Sequence, residues 1–233
     1  DDHAGIPDFD SAELTFSYRQ LFRNTRFSGY DRLADANQLS LGVTSRLIDA
    51  RTGKERVSIS LGQVINFSDQ LVRLKESDAA LTDEGSALAF ALSMSASERW
   101  RIDSNLLFDS AKAEADAANI RVSYRPNKDA IVNLGYTLRD PPASFAARPI
   151  TEQINTSAYI PINDNWAAFG ALRYSLEIGS SVEDMIGVEY DGCCWRVRLI
   201  YMSYLDALRD VDVFIAEPEL TRDRAFQFQF ILK

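Results

Sequence analysis

The sequence predicts an all-β protein, an antiparallel transmembrane β-barrel or a portion of one, and three observations carry that prediction. Apolar and polar residues alternate along most of the chain, with the period of two expected of a strand wetted on one side. No apolar run approaches the roughly 20 residues that a spanning helix needs. Short polar turns alternate with longer polar loops, the asymmetry of outer-membrane barrels, which keep tight turns in the periplasm and long loops outside.

Taken in order, the first strand reads Leu39, Leu41, Val43 and Leu47 against Gln38, Ser40, Thr44 and Arg46, and the turn Arg51-Thr52-Gly53-Lys54 ends it. The second sets Val57, Ile59, Leu61, Ile65 and Phe67 against Arg56, Ser58, Ser60 and Asn66, before a polar loop through Asp69, Lys75, Asp78 and Glu84. Leu88, Phe90, Leu92 and Met94 make the third, which ends in a short turn around Ser97-Glu98. Ile102, Leu106 and Phe108 then oppose Arg101, Asp103 and Asn105. After an alanine-rich acidic loop, Ile120, Val122 and Tyr124 oppose Arg121, Ser123 and Arg125.

The second half repeats the cycle. Pro126-Asn127-Lys128-Asp129 is a strong turn, and Val132, Leu134, Tyr136 and Leu138 follow opposite Asn133 and Arg139. Beyond the loop from Asp140-Pro141-Pro142 to Arg148-Pro149, Ile154, Ala158 and Ile160 face away from Gln153, Asn155 and Ser157. Asn163-Asp164-Asn165 turns the chain into Trp166, after which Leu172 and Tyr174 oppose Arg173. Gly179-Ser180-Ser181 leads to Ile186, Val188 and Tyr190 opposite Glu189, and Asp191-Gly192 is a type I′ turn candidate. Trp195, Val197, Leu199 and Tyr201 oppose Arg196 and Arg198, and the last strand, Ala225 to Leu232, sets Phe226, Phe228 and Phe230 against Gln227 and Gln229. This makes about eleven strands, each near the 9–11 residues that cross a bilayer at a tilt.

A water-soluble β-sandwich or up-and-down barrel has alternating strands too, and two features count against it. Aromatic residues gather at strand ends (Phe67, Trp100, Phe108, Tyr124, Tyr159, Trp166, Tyr174, Tyr190, Trp195 and Tyr201), as interfacial girdles require. The polar face is also too charged for a dry core. Burying Arg46, Arg56, Arg121, Arg173, Arg196 and Arg198 away from water would cost several kcal/mol each, so they need a hydrated lumen.

Bulk composition bounds function more than fold. A formal net charge of -9 argues against nucleic-acid binding, which needs a basic face to displace counterions. The amino terminus, Asp-Asp-His-Ala-Gly, does not read as a signal peptide, so an export signal would lie upstream. His3 is the single histidine, on a terminal segment, which leaves a barrel protease or phospholipase without an internal general base. Asp1, Asp2, Asp8 and Asp10 are suited to calcium in type but read as a solvated acidic stretch; no metal or cofactor is expected. Cys193 and Cys194 are adjacent. Consecutive Cα atoms lie about 3.8 Å apart, less than the roughly 4.4 Å a disulfide usually spans. The pair therefore either stays reduced or bonds to partners outside this chain.

Specific words in the sequence carry a resemblance. Asp31-Arg32-Leu33-Ala34-Asp35-Ala36-Asn37-Gln38-Leu39-Ser40-Leu41-Gly42-Val43-Thr44-Ser45-Arg46, Glu55-Arg56 leading to Gly62-Gln63, and Gly187-Val188-Glu189-Tyr190-Asp191-Gly192-Cys193-Cys194-Trp195 resemble the carboxy-terminal half of the LptD family of lipopolysaccharide-assembly proteins. Leu21-Phe22-Arg23 and Arg26-Phe27-Ser28-Gly29 fit the same family. The resemblance implies the carboxy-terminal portion of a barrel of about 26 strands in the Gram-negative outer membrane. It implies a periplasmic jellyroll domain that receives lipopolysaccharide from an LptA-type bridge, and an LptE lipoprotein plug in the lumen. It further implies that Cys193 and Cys194 form long-range disulfides with cysteines outside this chain.

On that resemblance residues 1–36 are expected to belong to an extracellular loop and 37–233 to the barrel. An open sheet would leave two unpaired edges in lipid, so the amino-terminal half of the barrel is expected to complete it. The expected function is a non-enzymatic translocon component that inserts lipopolysaccharide into the outer leaflet through a polar lumen and a lateral gate. The last strand (Ala225, Phe226, Gln227, Phe228, Gln229 and Phe230) is expected to form one side of that gate. Arg121, Arg125, Arg173, Arg196 and Arg198 are chemically suited to sugar phosphates, or equally to a lumenal charge network or the plug. A passive porin is the competing reading; it would share the lumen but have no use for the cysteine pair.

Overall fold

The computed structural model describes residues 17–23, 25, 27–28, 35, 37–69, 71–72, 87–109, 114–139, 151–205 and 221–232. His3, the aspartates at 1, 2, 8 and 10, the loop residues Lys75, Asp78 and Glu84, and the loop at 140–149 lie outside them. Among the described residues there are eleven strands and one short 3-10 turn, Tyr18–Gln20, and no helix is long and apolar enough to cross a membrane.

The strands are β1 (Gln38–Ile48), β2 (Glu55–Asn66), β3 (Ala87–Ser95), β4 (Trp100–Asp109), β5 (Glu114–Tyr124), β6 (Ile131–Arg139), β7 (Thr151–Pro161), β8 (Trp166–Ser175), β9 (Ser180–Asp191), β10 (Trp195–Leu205) and β11 (Arg222–Leu232). They form one sheet in strict chain order, so each strand pairs with its sequence neighbours as a meander. Their lengths, from 9 residues in β3 to 12 in β2 and β9, suit a tilted crossing of a bilayer. Two compact units divide them, one built largely on β1–β5 and the other on β6–β11.

Register decides which side chains share a face, because directly opposed residues point the same way. In the first unit Leu39, Leu41, Val43 and Leu47 oppose Ile65, Gln63, Leu61 and Val57, and Val57, Ile59 and Leu61 oppose Met94, Leu92 and Phe90. This apolar face is uncovered, with Val43 65% and Leu47 63% exposed. The second unit repeats it, with Ile186 64% and Phe226 79% exposed. Among the described residues the hydrophobic side chains that are buried are few and mostly small: Leu21, Phe27, Val64, Ala89, Ala130, Ala167 and Ile200. A water-soluble sandwich would turn the long Leu, Ile and Phe rows inward. Here they form an exposed apolar surface, which suits contact with an apolar medium better than with water.

Four of the short turns share one device. The side-chain oxygens of Asp49, Ser97, Asn127 and Asn163 each accept the backbone N–H groups two and three residues ahead, at 2.8–3.2 Å. Such local bonds satisfy amides that the ladder leaves open and fix the reversal. Gly53 closes the first turn in the left-handed region, φ 68°, which costs glycine little. The β9–β10 turn differs from its expected form. Asp191 pairs with Arg196, and the Gly192 N–H donates to the Trp195 carbonyl at 2.9 Å, so the two-residue loop is Cys193-Cys194 rather than Asp191-Gly192.

Candidate functional site

The polar face is not uniform. On β1 and β2, Gly42 and Gly62 stand directly opposite each other and leave a bare patch of backbone. The segment around Tyr18–Gln20 sits on it. Leu21 is 1% exposed and packs with Val64, Ala89 and Tyr18. A Cβ at Gly62 would overlap Leu21 Cδ1, and one at Gly42 would come within 2.7 Å of Phe22 Cζ. The Tyr18 hydroxyl lies 3.0 Å from Thr44 Oγ1, which is 2.9 Å from Ser60 Oγ, so a short hydrogen-bond chain anchors the segment beside its apolar contact.

In the second unit the same face carries charge. Alternation places Glu189 on β9 and Arg196 and Arg198 on β10 on one side, and the ladder aligns Ala167, Glu189, Arg198 and Gln229 across four strands. Glu189 is 1% exposed. Burying a carboxylate alone would cost several kcal/mol, and two hydrogen-bond donors and a second nearby guanidinium offset that here. Arg198 Nε donates to Oε2 at 2.5 Å, the Tyr159 hydroxyl donates to Oε1 at 2.9 Å, and Arg196 Nε lies 3.5 Å from Oε1. Arg196 also donates to Asp191 at 2.9 Å, and the Arg198 guanidinium sits 5.8 Å from the Phe169 ring centre. A cavity of about 660 Å³ opens beside this network, lined by Tyr159, Glu189, Asp191, Arg196 and the Asn163–Asn165 turn. Small Ala167, next to Glu189 on β8, leaves room for it.

The five arginines with phosphate-binding potential are thereby separated. Arg196 and Arg198 belong to the Glu189 network, and Arg173 pairs with Glu183 at 3.2 Å. Arg121 and Arg125 are exposed and have no ion pair among the described residues. Arg46 and Arg56 pair with Glu55 and Asp49. Tyr159 corrects the girdle expectation: it opposes Phe169 and bonds Glu189, so it lies on the polar face, with the parity of Asn155 and Ser157. The outward girdle is carried by Trp100 on Tyr124, at 4.5 Å between ring centres, and by the run Trp166, Tyr190, Trp195 and Phe230, at 5.0–6.2 Å.

Cys193 and Cys194 are both exposed at the turn, and neither is in a disulfide. Their sulfurs lie 2.9 Å apart, well beyond the 2.05 Å or so of a bond. In β11, Phe226, Phe228 and Phe230 oppose Tyr201, Leu199 and Val197 on the apolar face, while Gln227 and Gln229 oppose Ile200 and Arg198 on the polar one. The strand begins earlier than expected, at Arg222 rather than Ala225. Asp35, inside one of the recognisable sequence words, accepts the backbone N–H of Leu71 at 2.6 Å and of Val72 at 3.3 Å, tying together the chain before β1 and after β2.

Antiparallel strands of bilayer-crossing length, apolar and exposed on one face and hydrogen-bonded and charged on the other, define a segment of a transmembrane β-barrel. The chain belongs to the LptD family, whose model, described as LPS transport system D, matches residues 1–166. It is 37% identical to an LPS-assembly protein LptD of Nitrosococcus oceani, across 88% of this chain and 27% of the relative. A Xylella fastidiosa protein of the same name is 36% identical across 86% of the chain and 25% of its own length. One from Xanthomonas campestris is 34% identical across 98% and 28%. The chain thus spans about a quarter of the length of these relatives.

Proposed function

We propose that this chain is the carboxy-terminal part of an outer-membrane barrel that transfers lipopolysaccharide to the outer leaflet, acting as a conduit and not as an enzyme. One observation carries the reading: a single sheet offers an exposed hydrocarbon-compatible face and, on its reverse, a face rich in paired charges with a cavity of about 660 Å³. An amphiphile with an anionic glycan and acyl chains needs both media. The names of the relatives support the same substrate.

In this reading β1 and β11, each with one neighbour in the sheet, are completed by upstream barrel strands, and β11 forms one side of a lateral gate. Residues 1–36 belong to a loop from the outer side, part of which folds onto the polar face. An LptE-type lipoprotein occupies the lumen, and a jellyroll domain meets an LptA-type bridge in the periplasm. Cys193 and Cys194 tether the β9–β10 turn to cysteines outside this chain; their exposure on a two-residue loop supports this.

Depletion of the protein in its host tests the function. Newly made lipopolysaccharide should fail to reach the cell surface while porin-type uptake of small solutes is unchanged. Altered solute uptake with normal surface lipopolysaccharide would make the chain a porin. For the tether, non-reducing electrophoresis and peptide mapping of the native protein should find both cysteines bonded to distant peptides, and free thiols in the mature protein would remove it.

A further inference from the structure

The outward face of β11 is two-toned. Antiparallel register with β10 puts Arg222, Arg224, Phe226, Phe228, Phe230 and Leu232 on it, from the end that follows residue 221 to the end beside Trp195. At about 3.4 Å per residue the apolar part, Phe226 to Leu232, runs for roughly 20 Å. Phe226 is 79% and Leu232 76% exposed, so β10 and β9 leave this stripe uncovered.

The two arginines above the stripe are not equivalent. Arg222 reaches across β10 to β9, where it donates to Asp184 at 2.8 Å, the Ser181 carbonyl at 2.6 Å and hydroxyl at 2.9 Å, and Ser203 at 3.1 Å. Arg224, opposite Ser203, is exposed and has no ion pair among the described residues. On the outward face of β9, β10 and β11 the charges are Asp184, Arg222 and Arg224, so one positive charge is left over. A guanidinium one step above phenylalanine in the ladder gains nothing from hydrocarbon. It gains from an anion held at the level where the apolar stripe ends.

We propose that Arg224 is a phosphate contact for an acylated, phosphorylated lipid lying along the outward face of β11, with Phe226, Phe228 and Phe230 against its acyl chains. Resting on the function proposed above, the occupant is the phosphorylated lipid anchor of lipopolysaccharide. The backbone edge of β11 remains free for strand pairing, because the contact uses only outward side chains.

The test uses the native full-length protein in detergent and measures affinity for intact lipopolysaccharide and for the same lipid with its phosphates removed. R224Q should weaken binding of the intact lipid about tenfold and leave the dephosphorylated form unchanged, and R224K should recover part of the loss. F228A should weaken both forms, and heat-modifiable gel migration should show every variant folded. If the wild type binds lipopolysaccharide and R224Q binds it equally well, the contact is wrong and the function stands. If the wild type binds neither form, the function reading fails first. If R224Q lowers affinity only for phosphatidylglycerol vesicles, β11 carries a general anionic-lipid site and the proposal is overturned.

Discussion

On β1 and β2 the polar face is stripped to backbone at Gly42 and Gly62 and takes in Leu21 and Phe22 of the same chain; on β8–β10 that face is filled by a buried carboxylate and two guanidinium groups. Both patches sit on strands with the same alternation and nearly the same length. The difference lies in what the cross-strand neighbours permit. Paired glycines give a flat seat whose stability comes from excluding water from leucine, which is non-directional. The Glu189 site depends on directed bonds, and loss of any one donor leaves charge behind in a poorly solvated place. A loop can thus be shed from the first patch without unfolding the strands, whereas the second behaves as a fixed part of the wall.

The largest expected effect comes from removing Glu189. E189A leaves Arg196 and Arg198 facing each other without their shared carboxylate and should cost about 3 kcal/mol, the lower end for a broken buried pair because both arginines are about one-third exposed. E189Q keeps an acceptor for the Tyr159 hydroxyl and should cost less. Urea unfolding of the native protein in detergent reads both. A loss below about 0.5 kcal/mol for E189A would show the network to be ornamental and erase the contrast.

Next is the glycine seat. G62V should unseat Leu21 and forfeit about 2 kcal/mol of burial, with global unfolding little changed. Arg19 and Arg23 flank the seated residues and are exposed, so trypsin offers a local readout. Cleavage there should quicken roughly 30-fold in G62V and less in G62A. Unchanged cleavage would mean that Leu21 does not hold the segment.

Strand count and facing were legible because a period of two survives any tertiary context that keeps one side wet. Depth was not legible: alternation puts Glu189, Glu183 and Arg173 on one face, but only alignment with Ala167 and Arg198 buries the first of them. Asp191-Gly192 has the composition of a hairpin turn and drew the reversal two residues early, whereas the Asp191–Arg196 pairing leaves it to the cysteines. Arg222 and Arg224 break the rule that outward residues are apolar, so the sequence around them reads as loop, and their place in β11 appears only from pairing with Leu205 and Ser203. The seat at Gly42 and Gly62 had a signal in the two glycines, which occupy polar-face positions of neighbouring strands, yet nothing local names Leu21 as the occupant.

The smallest effect sharpens the comparison within the first unit, at the turn that joins β1 to β2. The Asp49 carboxylate accepts the Thr52 N–H at 2.9 Å and the Arg51 N–H at 3.0 Å and pairs with Arg56 at 3.3 Å. These bonds, that from Thr52 foremost, hold its pKa below the usual carboxylate value. A depressed folded pKa means that the group stabilises the turn above its unfolded pKa of about 3.9 and loses that contribution as pH falls through the folded value. The Asn127 and Asn163 turns use the same geometry with an amide that does not titrate, so they serve as internal references. Amide exchange at Arg51 and Thr52, corrected for intrinsic rate, should therefore accelerate below about pH 4 while Asp129 and Asn165 hold steady. D49N should abolish the acid-dependent step and keep the two backbone bonds. Equal acid sensitivity in all three turns would place the titration elsewhere and leave Asp49 as a turn former whose charge does nothing.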